Sequence, residues 1–509
     1  MLSAGEQCLK SLSTSNRPPS PQEASVAGEY LQLCDQKLQV VDTRITALEH
    51  ELEQLKTQRT IIERERHRYA DILSARRLLP PEIIGRFMEL ACMYDSESSR
   101  NLETHQQVSS FMLVSREWYR TACGVAHFWT ELAMDLTNYS AEETQSVIVK
   151  ASNRSARASE LYLSLHIAFS AAAPANTQIF DFIHSLVPRL GLLSLRIQVD
   201  STSDLVVLDT LFHPPPSSSA LVWPTLHTLQ ISIQSQQEIT ADAQLSFLSS
   251  NFPLLRTAAI SSSNISFTSY QMPWFNLMRL DLGPLGRPES QKYVSIIGAC
   301  TNLRSLHLCT QSYIDINGIN SVPVITLPHL THLHVESSGY HDGEQLLPLL
   351  NVPSLQSCIY TVSVTGSYST SIVRRLTDLF RRSGCSASMK YLELDLSRGT
   401  FYSPNALRNL FLEVPHLTVL KLSGYKMEVD ALREVPLSVR ELSIKISYYR
   451  VDDSRKTFVD YLNSRFASST DIPVKARLHL ADTVHTLAVR KRLDSLKKEV
   501  GSALDVVMD

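Results

Sequence analysis

Three histidines and a set of charged residues are the first chemistry to weigh in this sequence. His332 and His334 stand two apart, and His307 sits in a similar phrase upstream. Three converging imidazoles could ligate a metal. No carboxylate or thiolate completes the set, and a metal site needs its full ligand count and support. Neither a metal nor a cofactor is therefore expected. The eight cysteines, at 8, 34, 92, 123, 300, 309, 358 and 385, include no CxxC pair. They read as reduced, mostly buried thiols rather than zinc ligands or a redox couple. No GxxxxGK[ST], GxSxG or HExxH motif occurs, so no residue is assigned a catalytic role.

The elements that must position these residues are written in a recurring phrase. From about 155 to 446 it runs "PRLGLLSLRI", "PTLHTLQISI", "PLLRTAAI", "FNLMRLDL", "TNLRSLHL", "PHLTHLHV", "PSLQSCIY", "SMKYLELDL", "PHLTVLKL", "LSVRELSI". Each fits L-x-x-L-x-L loosely, and helix-like stretches such as "SIVRRLTDLFRRSG" lie between. The alternation predicts short strands with one apolar face. The first apolar positions, from Leu190 through Leu303 and Met389 to Val439, recur at irregular intervals. No such unit can bury its apolar face alone, so the units must stack. Side chains just before and between the last two apolar positions then form an outward row. That row contains Arg279, Asp281, His307, His332, His334, Tyr391, Glu393, Lys421 and Glu441. It is the candidate target-binding face, and a bare solvated face is the competing reading.

Upstream the pattern changes. Residues 1–28 are Ser/Pro-rich and are expected to be disordered. Residues 29–74 carry a heptad repeat. Leu31, Leu38, Ile45 and Leu52 occupy a; Cys34, Val41, Leu48 and Leu55 occupy d; Arg59 and Arg66 interrupt the later a positions. In a parallel homodimer Lys37 would face Asp42, Arg44 would face Glu49 and Glu51 would face Lys56. The alternative is one long amphipathic helix that packs on its own chain. Pro80 and Pro81 cannot continue that helix, yet suit the first turn of a new one. "PPEIIGRFMELACM" therefore starts an independent helix with Ile83, Ile84, Phe87, Met88 and Ala91 as its apolar face. The basic cluster "RERHRYADILSARR" reads as a solvated helix face.

After a polar stretch at 94–107, "VSSFMLVSREWYRTACGVAHFWTEL" reads as further helices. Leu79-Pro80-x-Glu82-Ile83 with Phe87, then Val114-Ser115-x-x-Trp118, then Phe128-Trp129, resembles an F-box, in particular the F-box-like domain common in mushroom-forming fungi. The spacing from Pro80 to Trp118 is longer than in the animal pattern. The resemblance implies a small all-α domain over 78–132. Leu79, Pro80, Ile83, Ile84 and Val114 would contact a Skp-type adaptor, and Phe87, Trp118 and Trp129 would form the core. The recurring phrase resembles the irregular leucine-rich repeats often attached to F-boxes. The position that usually holds Asn or Cys carries Gln234, Ser263, Gln311, Ser338 and Tyr425, so no asparagine ladder is expected.

Together these imply a mixed fold: an N-terminal long helix or coiled coil, an F-box-like domain, an α/β leucine-rich-repeat-like solenoid (a horseshoe) over 155–446, and a helical cap over 447–509. The implied function is a non-catalytic substrate-recognition subunit of a Skp-cullin-F-box ubiquitin ligase, with an unknown protein target. The alternative is a coiled-coil scaffold not assembled into a ligase. Composition fits: 43% hydrophobic, 19% charged and a net charge of −3 over 509 residues give no reason to expect nucleic acid or an anionic membrane as partner. No apolar run approaches the roughly 20 residues a spanning helix needs. The N-terminus lacks a signal peptide's apolar core, so an intracellular protein, cytoplasmic or nuclear, is expected.

Overall fold

The computed structural model describes residue 14 and residues 17–73, 79–93, 107–173, 176–205, 210–212, 222–246, 250–285, 290–310, 323–337, 345–362, 369–402, 404–427, 435–446 and 475–480. The chain divides into two compact units, Met1–Leu90 and Ala91–Asp509.

The first unit is dominated by α1, Pro21–Ile72, a single 52-residue helix. It starts earlier than the sequence predicts, so residues 21–28 are helical rather than disordered. The cause is a capping box. The Ser20 amide donates to Glu23 Oε2 at 2.8 Å, and the Glu23 amide donates back to Ser20 Oγ at 3.4 Å. These bonds hold the Glu23 carboxyl down at about 2. Every a and d residue from Leu31 to Leu55 is exposed.

Helix α2, Pro81–Met93, starts at the second proline as expected. Its apolar residues do not share one face. Ile84 and Met88 are fully buried, whereas Ile83, Phe87 and Leu90 are about half exposed. Two expectations are thereby corrected: Ile84 is core rather than adaptor-facing, and Phe87 is exposed rather than core. Helical pitch explains the exchange. Residues 83, 87 and 90 follow i, i+4, i+7 and define one stripe, while 84 and 88 define another about 100° around the axis.

In the second unit, α3 (Arg116–Gly124) is capped by Ser115, whose Oγ accepts from the Trp118 amide at 3.3 Å. Trp118 is only half-buried, packed at 5.9 Å from the Phe111 ring, which corrects its expected core role. Trp129 does lie in the core. Its indole Nε1 donates to Ala122 O at 3.0 Å, and the Arg157 guanidinium sits 4.7 Å above its ring. The aromatic at 129 has Arg157 over one face and Ala122 O at its N–H edge, whereas Trp118 projects from a short helix with mostly exposed residues around it.

Among the described residues a 13-stranded sheet follows. Its members are β1 (Glu131–Asp135), β2 (Leu163–Ser170), β3 (Leu190–Gln198), β4 (Thr228–Ser246), β5 (Thr257–Gln271), β6 (Arg279–Leu285), β7 (Ser305–Thr310), β9 (His332–Ser337), β11 (Ser357–Val362), β12 (Tyr391–Tyr402), β13 (Val419–Met427), β14 (Glu441–Ile446) and β15 (Lys475–Leu480). They lie side by side in chain order, and every neighbouring pair is parallel. The short β8 (Ile325–Thr326) and β10 (Leu350–Asn351) pair separately. The sheet starts at Glu131, ahead of the expected boundary at 155. It also includes β15, in a segment expected to be a helical cap; the remainder of 447–509 lies outside the described residues.

Parallel neighbours require crossovers. Helices α4 (Ala141–Arg157), α5 (Asn176–Leu186), α6 (Ser290–Ala299), α7 (Ser369–Ser383) and α8 (Pro404–Glu413) occupy five of them. Helix α4 has its own capping box, between Ser140 and Glu143. Helix α7 ends at Gly384, whose φ of 61° is the left-handed geometry that favours glycine. Among the described residues one face of the sheet is buried and the other half-buried. Along the strands buried and half-buried residues alternate, as in Ser305–Thr310 and Tyr391–Leu396. A parallel sheet with helices on both faces would read as a continuous apolar run.

The first apolar residue of each phrase, Leu190, Leu226, Leu255, Leu277, Leu303, Leu330, Leu355, Met389, Leu417 and Val439, is fully buried. Just after it a backbone ladder links the units. The carbonyls of His227, Arg256, Met278, Arg304, Thr331, Gln356, Lys390 and Thr418 each accept from two successive amides of the next unit, at 2.8–3.1 Å. This ladder satisfies the turns without an asparagine series. Gln311 and Ser338 lie outside the described residues.

Candidate functional site

The half-buried face of the sheet aligns side chains in lateral rows, because parallel register carries one phrase position across every strand. The central row reads His166, Ser194, Gln230, Ala259, Asp281, His307, His334, Ile359, Glu393, Lys421 and Ser443. The row one pleat earlier contains Arg279, Ser305, His332, Ser357, Tyr391, Val419 and Glu441. All nine residues expected on the outward row therefore share this face. Arg279 and His332 are its exposed members, and the others are half-buried.

They fall into two clusters, divided by Ile359 on β11. In the first, His307 Nδ1 and Asp281 Oδ1 are 2.9 Å apart, and His307 Nε2 lies 3.9 Å from Glu336 Oε2. The hydrogen bond that His307 donates to Asp281 raises the His307 pKa, against desolvation. The His334 ring stacks on His307 at 4.2 Å and 16°. Burial, then the charge of His307, lowers the His334 pKa. One proton is thus directed to His307. Stacked rings present their faces to each other rather than converging lone pairs. His332 is engaged elsewhere, with Nδ1 2.8 Å from Thr331 Oγ1. Among the described residues no group of three or more His, Cys, Asp or Glu could hold a metal ion.

In the second cluster Tyr391 Oη donates to Glu393 Oε2. Lys421 Nζ lies 3.6 Å from the same oxygen and 5.3 Å from the centre of the Tyr391 ring. Burial, then the bond to Glu393, raises the Tyr391 phenol, and the bond to Tyr391 raises Lys421. Both groups hold their neutral-pH forms, with Lys421 cationic and Tyr391 protonated.

Beside the first cluster a groove of about 390 Å³ crosses strands β3 to β9. Small residues form its floor: Ser194, Ser232, Ala259, Ser261 and Gly283. Gly283 is required there, since a Cβ would come within 2.5 Å of Ser261 Cβ. Arg196 and Gln230 line one end, and Asp281, His307 and Glu336 line the other. The Cys309 thiol also lines it, but burial and the charges of Glu336 and Asp281 push it up to about 11. A thiol held protonated is a poor nucleophile. The groove is built to pair charges, with a cation at one end and carboxylates at the other.

Sequence reasoning picked out Asp281 and His307 but missed Arg196, Gln230 and Glu336. Gln230 occupies the same phrase position as Asp281, in "PTLHTLQISI". Arg196 and Glu336 lie one pleat beyond it, and extending the alternation by two residues would have found them.

Leu79, Pro80 and Ile83 are exposed in the first unit, and Val114 is exposed in the second. No protein-family model matches this chain, and no curated protein matches it.

Proposed function

We propose that this chain is a non-catalytic recognition subunit of a Skp-cullin-F-box type ubiquitin ligase. The observation that carries the reading is the two-sided helix α2. One apolar stripe, Ile84 and Met88, is fully buried, and a second, Ile83, Phe87 and Leu90, is exposed directly after Leu79-Pro80. An exposed apolar stripe of this kind suits a binding site. On this reading residues 78–132 form an F-box-like domain that docks a Skp-type adaptor through Leu79, Pro80, Ile83 and Phe87. The parallel strands in chain order and their shared carbonyl ladder support a leucine-rich-repeat-like horseshoe. Its half-buried face, with Arg196, Asp281, His307, Glu393 and Lys421, holds the protein target. The subunit keeps a target lysine near a charged ubiquitin-conjugating enzyme, which makes transfer effectively intramolecular. It works inside the cell, where its thiols stay reduced. Among the described residues no helix is long and apolar enough to cross a membrane.

Capture of a purified Skp-type adaptor by the full chain tests this. Ile83→Asp and Phe87→Asp are expected to abolish capture, while Lys421→Glu on the sheet leaves it intact. Undiminished capture by both α2 variants, or none by the parent, removes the ligase reading and leaves a non-catalytic scaffold.

A further inference from the structure

Helix α1 poses a separate problem, independent of any ligase role. At about 1.5 Å per residue its 52 residues extend roughly 78 Å. Its heptad seam is exposed throughout: Leu31, Leu38, Ile45 and Leu52 at a, Val41, Leu48, Leu55 and Ile62 at d. A soluble helix buries such a stripe. None of the described residues covers this one, and a second molecule could.

Charge identifies that molecule. Lys37, Asp42, Arg44, Glu49 and Glu51 make no ion pair among the described residues. The e positions Asp35, Asp42 and Glu49 are acidic and Lys56 is basic, whereas the g positions Lys37 and Arg44 are basic and Glu51 is acidic. A parallel second copy sets each g against the following e, giving Lys37 to Asp42, Arg44 to Glu49 and Glu51 to Lys56. An antiparallel copy overlaid on the same apolar layers sets e against e and g against g, which puts Asp42 against Glu49 and keeps fewer complementary pairs than the parallel one.

A polar layer adds to this. Arg59 occupies an a position, and its Nε donates to Glu63 Oε1 at 2.9 Å in the same helix. In a parallel pair the two Arg59 side chains share one layer, each with its own Glu63 alongside, so the layer carries no net charge. Polar a residues fix register and strand number at some cost in stability.

We propose that α1 joins two copies of this chain in a parallel, in-register, two-stranded coiled coil from Leu31 to Ile62. Each assembly then carries two copies of the sheet face, which raises avidity for a repeated or dimeric target without any new contact.

The test uses the full chain. Light scattering after gel filtration at micromolar concentration should give twice the chain mass. Lys37→Glu with Arg44→Glu makes four attractive contacts repulsive and should raise the dimer Kd on the order of 100-fold. Adding Asp42→Lys and Glu49→Lys should restore the parent value. Both copies of Cys34 fall at one level of a parallel seam, so a short bismaleimide should link them, and Cys34→Ser should abolish the link. Thermal melting of the sheet should be the same in all variants. A monomeric mass at high micromolar concentration overturns the proposal. So does a trimer, a dimer that Cys34 cannot link, or a charge-reversed variant that associates as the parent does.

Discussion

Helix α1 and the parallel sheet obey the same rule in sequence and opposite rules in space. Both carry apolar residues at regular spacing, every three or four residues in α1 and every second residue in the strands. In the sheet that face is fully buried, from Leu165 and Leu195 through Leu306 to Leu422. In α1 every seam residue is exposed. Periodicity therefore names the face that needs cover. It does not name the cover. Helices of the same chain cover the sheet, because a crossover must return over it to reach the next parallel strand. Helix α1 precedes the first strand and belongs to no such crossover.

This contrast can be broken at several points. The largest difference should be in thiol chemistry. Cys34 on α1 is exposed, whereas burial pushes the Cys358 thiol on β11 up to about 12. Only the thiolate reacts, so Cys358 should label with a disulfide reagent at least about a thousandfold more slowly in the folded chain than in the unfolded one. Equal rates, followed by mass spectrometry of labelled peptides, would mean the sheet opens freely.

Core truncation comes next. Leu394→Ala on β12 should destabilise the second unit by about 2–5 kcal/mol in urea unfolding. Leu48→Ala on α1 should change the stability of that unit by less than about 0.5 kcal/mol. An effect of Leu48→Ala as large as that of Leu394→Ala would mean that α1 belongs to the sheet's core.

A smaller cost attaches to the groove floor. Gly283→Ala puts a methyl against Ser261 and should cost about 1–3 kcal/mol. Combining it with Ser261→Gly removes the opposing Cβ and should recover most of that loss. A neutral Gly283→Ala variant would show that the strands can separate there at no cost.

The smallest effect is protonic. The raised pKa of His307 means that the folded chain holds this proton more tightly than the unfolded one. Its contribution is fully present below about 6.5, the ordinary histidine value, and is lost as pH rises through the folded pKa. His334 is shifted downward, so its contribution is present above the ordinary value and lost as pH falls through its folded pKa. The two oppose each other, and the net pH dependence should be shallow. Proton NMR titration should find His307 above and His334 below the ordinary value, and Asp281→Asn should lower His307. Coincident titrations would contradict the stacked, Asp281-bonded arrangement.

Legibility followed locality. The break at Pro80-Pro81, the start of α2 and the strand phrases were readable, because proline geometry and two-residue alternation act within a few residues. The assignment of Ile84 to a partner and Phe87 to the core was reversed. Both are apolar, they are three apart on one helix, and which stripe faces inward depends on what packs against it. Trp118 and Trp129 looked equivalent in sequence, yet only Trp129 has Ala122 O and Arg157 to close around it. The early start of α1 was available in Ser20-Pro21-x-Glu23, a capping box hidden within a Ser/Pro-rich stretch.

The sequence by itself determined the heptad seam and its charge pattern, the alternation of the strands, and the outward row from Arg279 to Glu441. Each follows from residue type at fixed spacing, and backbone geometry converts spacing into a face. The leucine-rich-repeat resemblance implied parallel strands, and tertiary structure alone decided that His307 and His334 stack. It also decided that Arg196, Asp281 and Glu336 border one groove, and that Ile84 rather than Phe87 turns inward. Those outcomes depend on which strands become neighbours and which surface a stripe meets, and no local spacing encodes either.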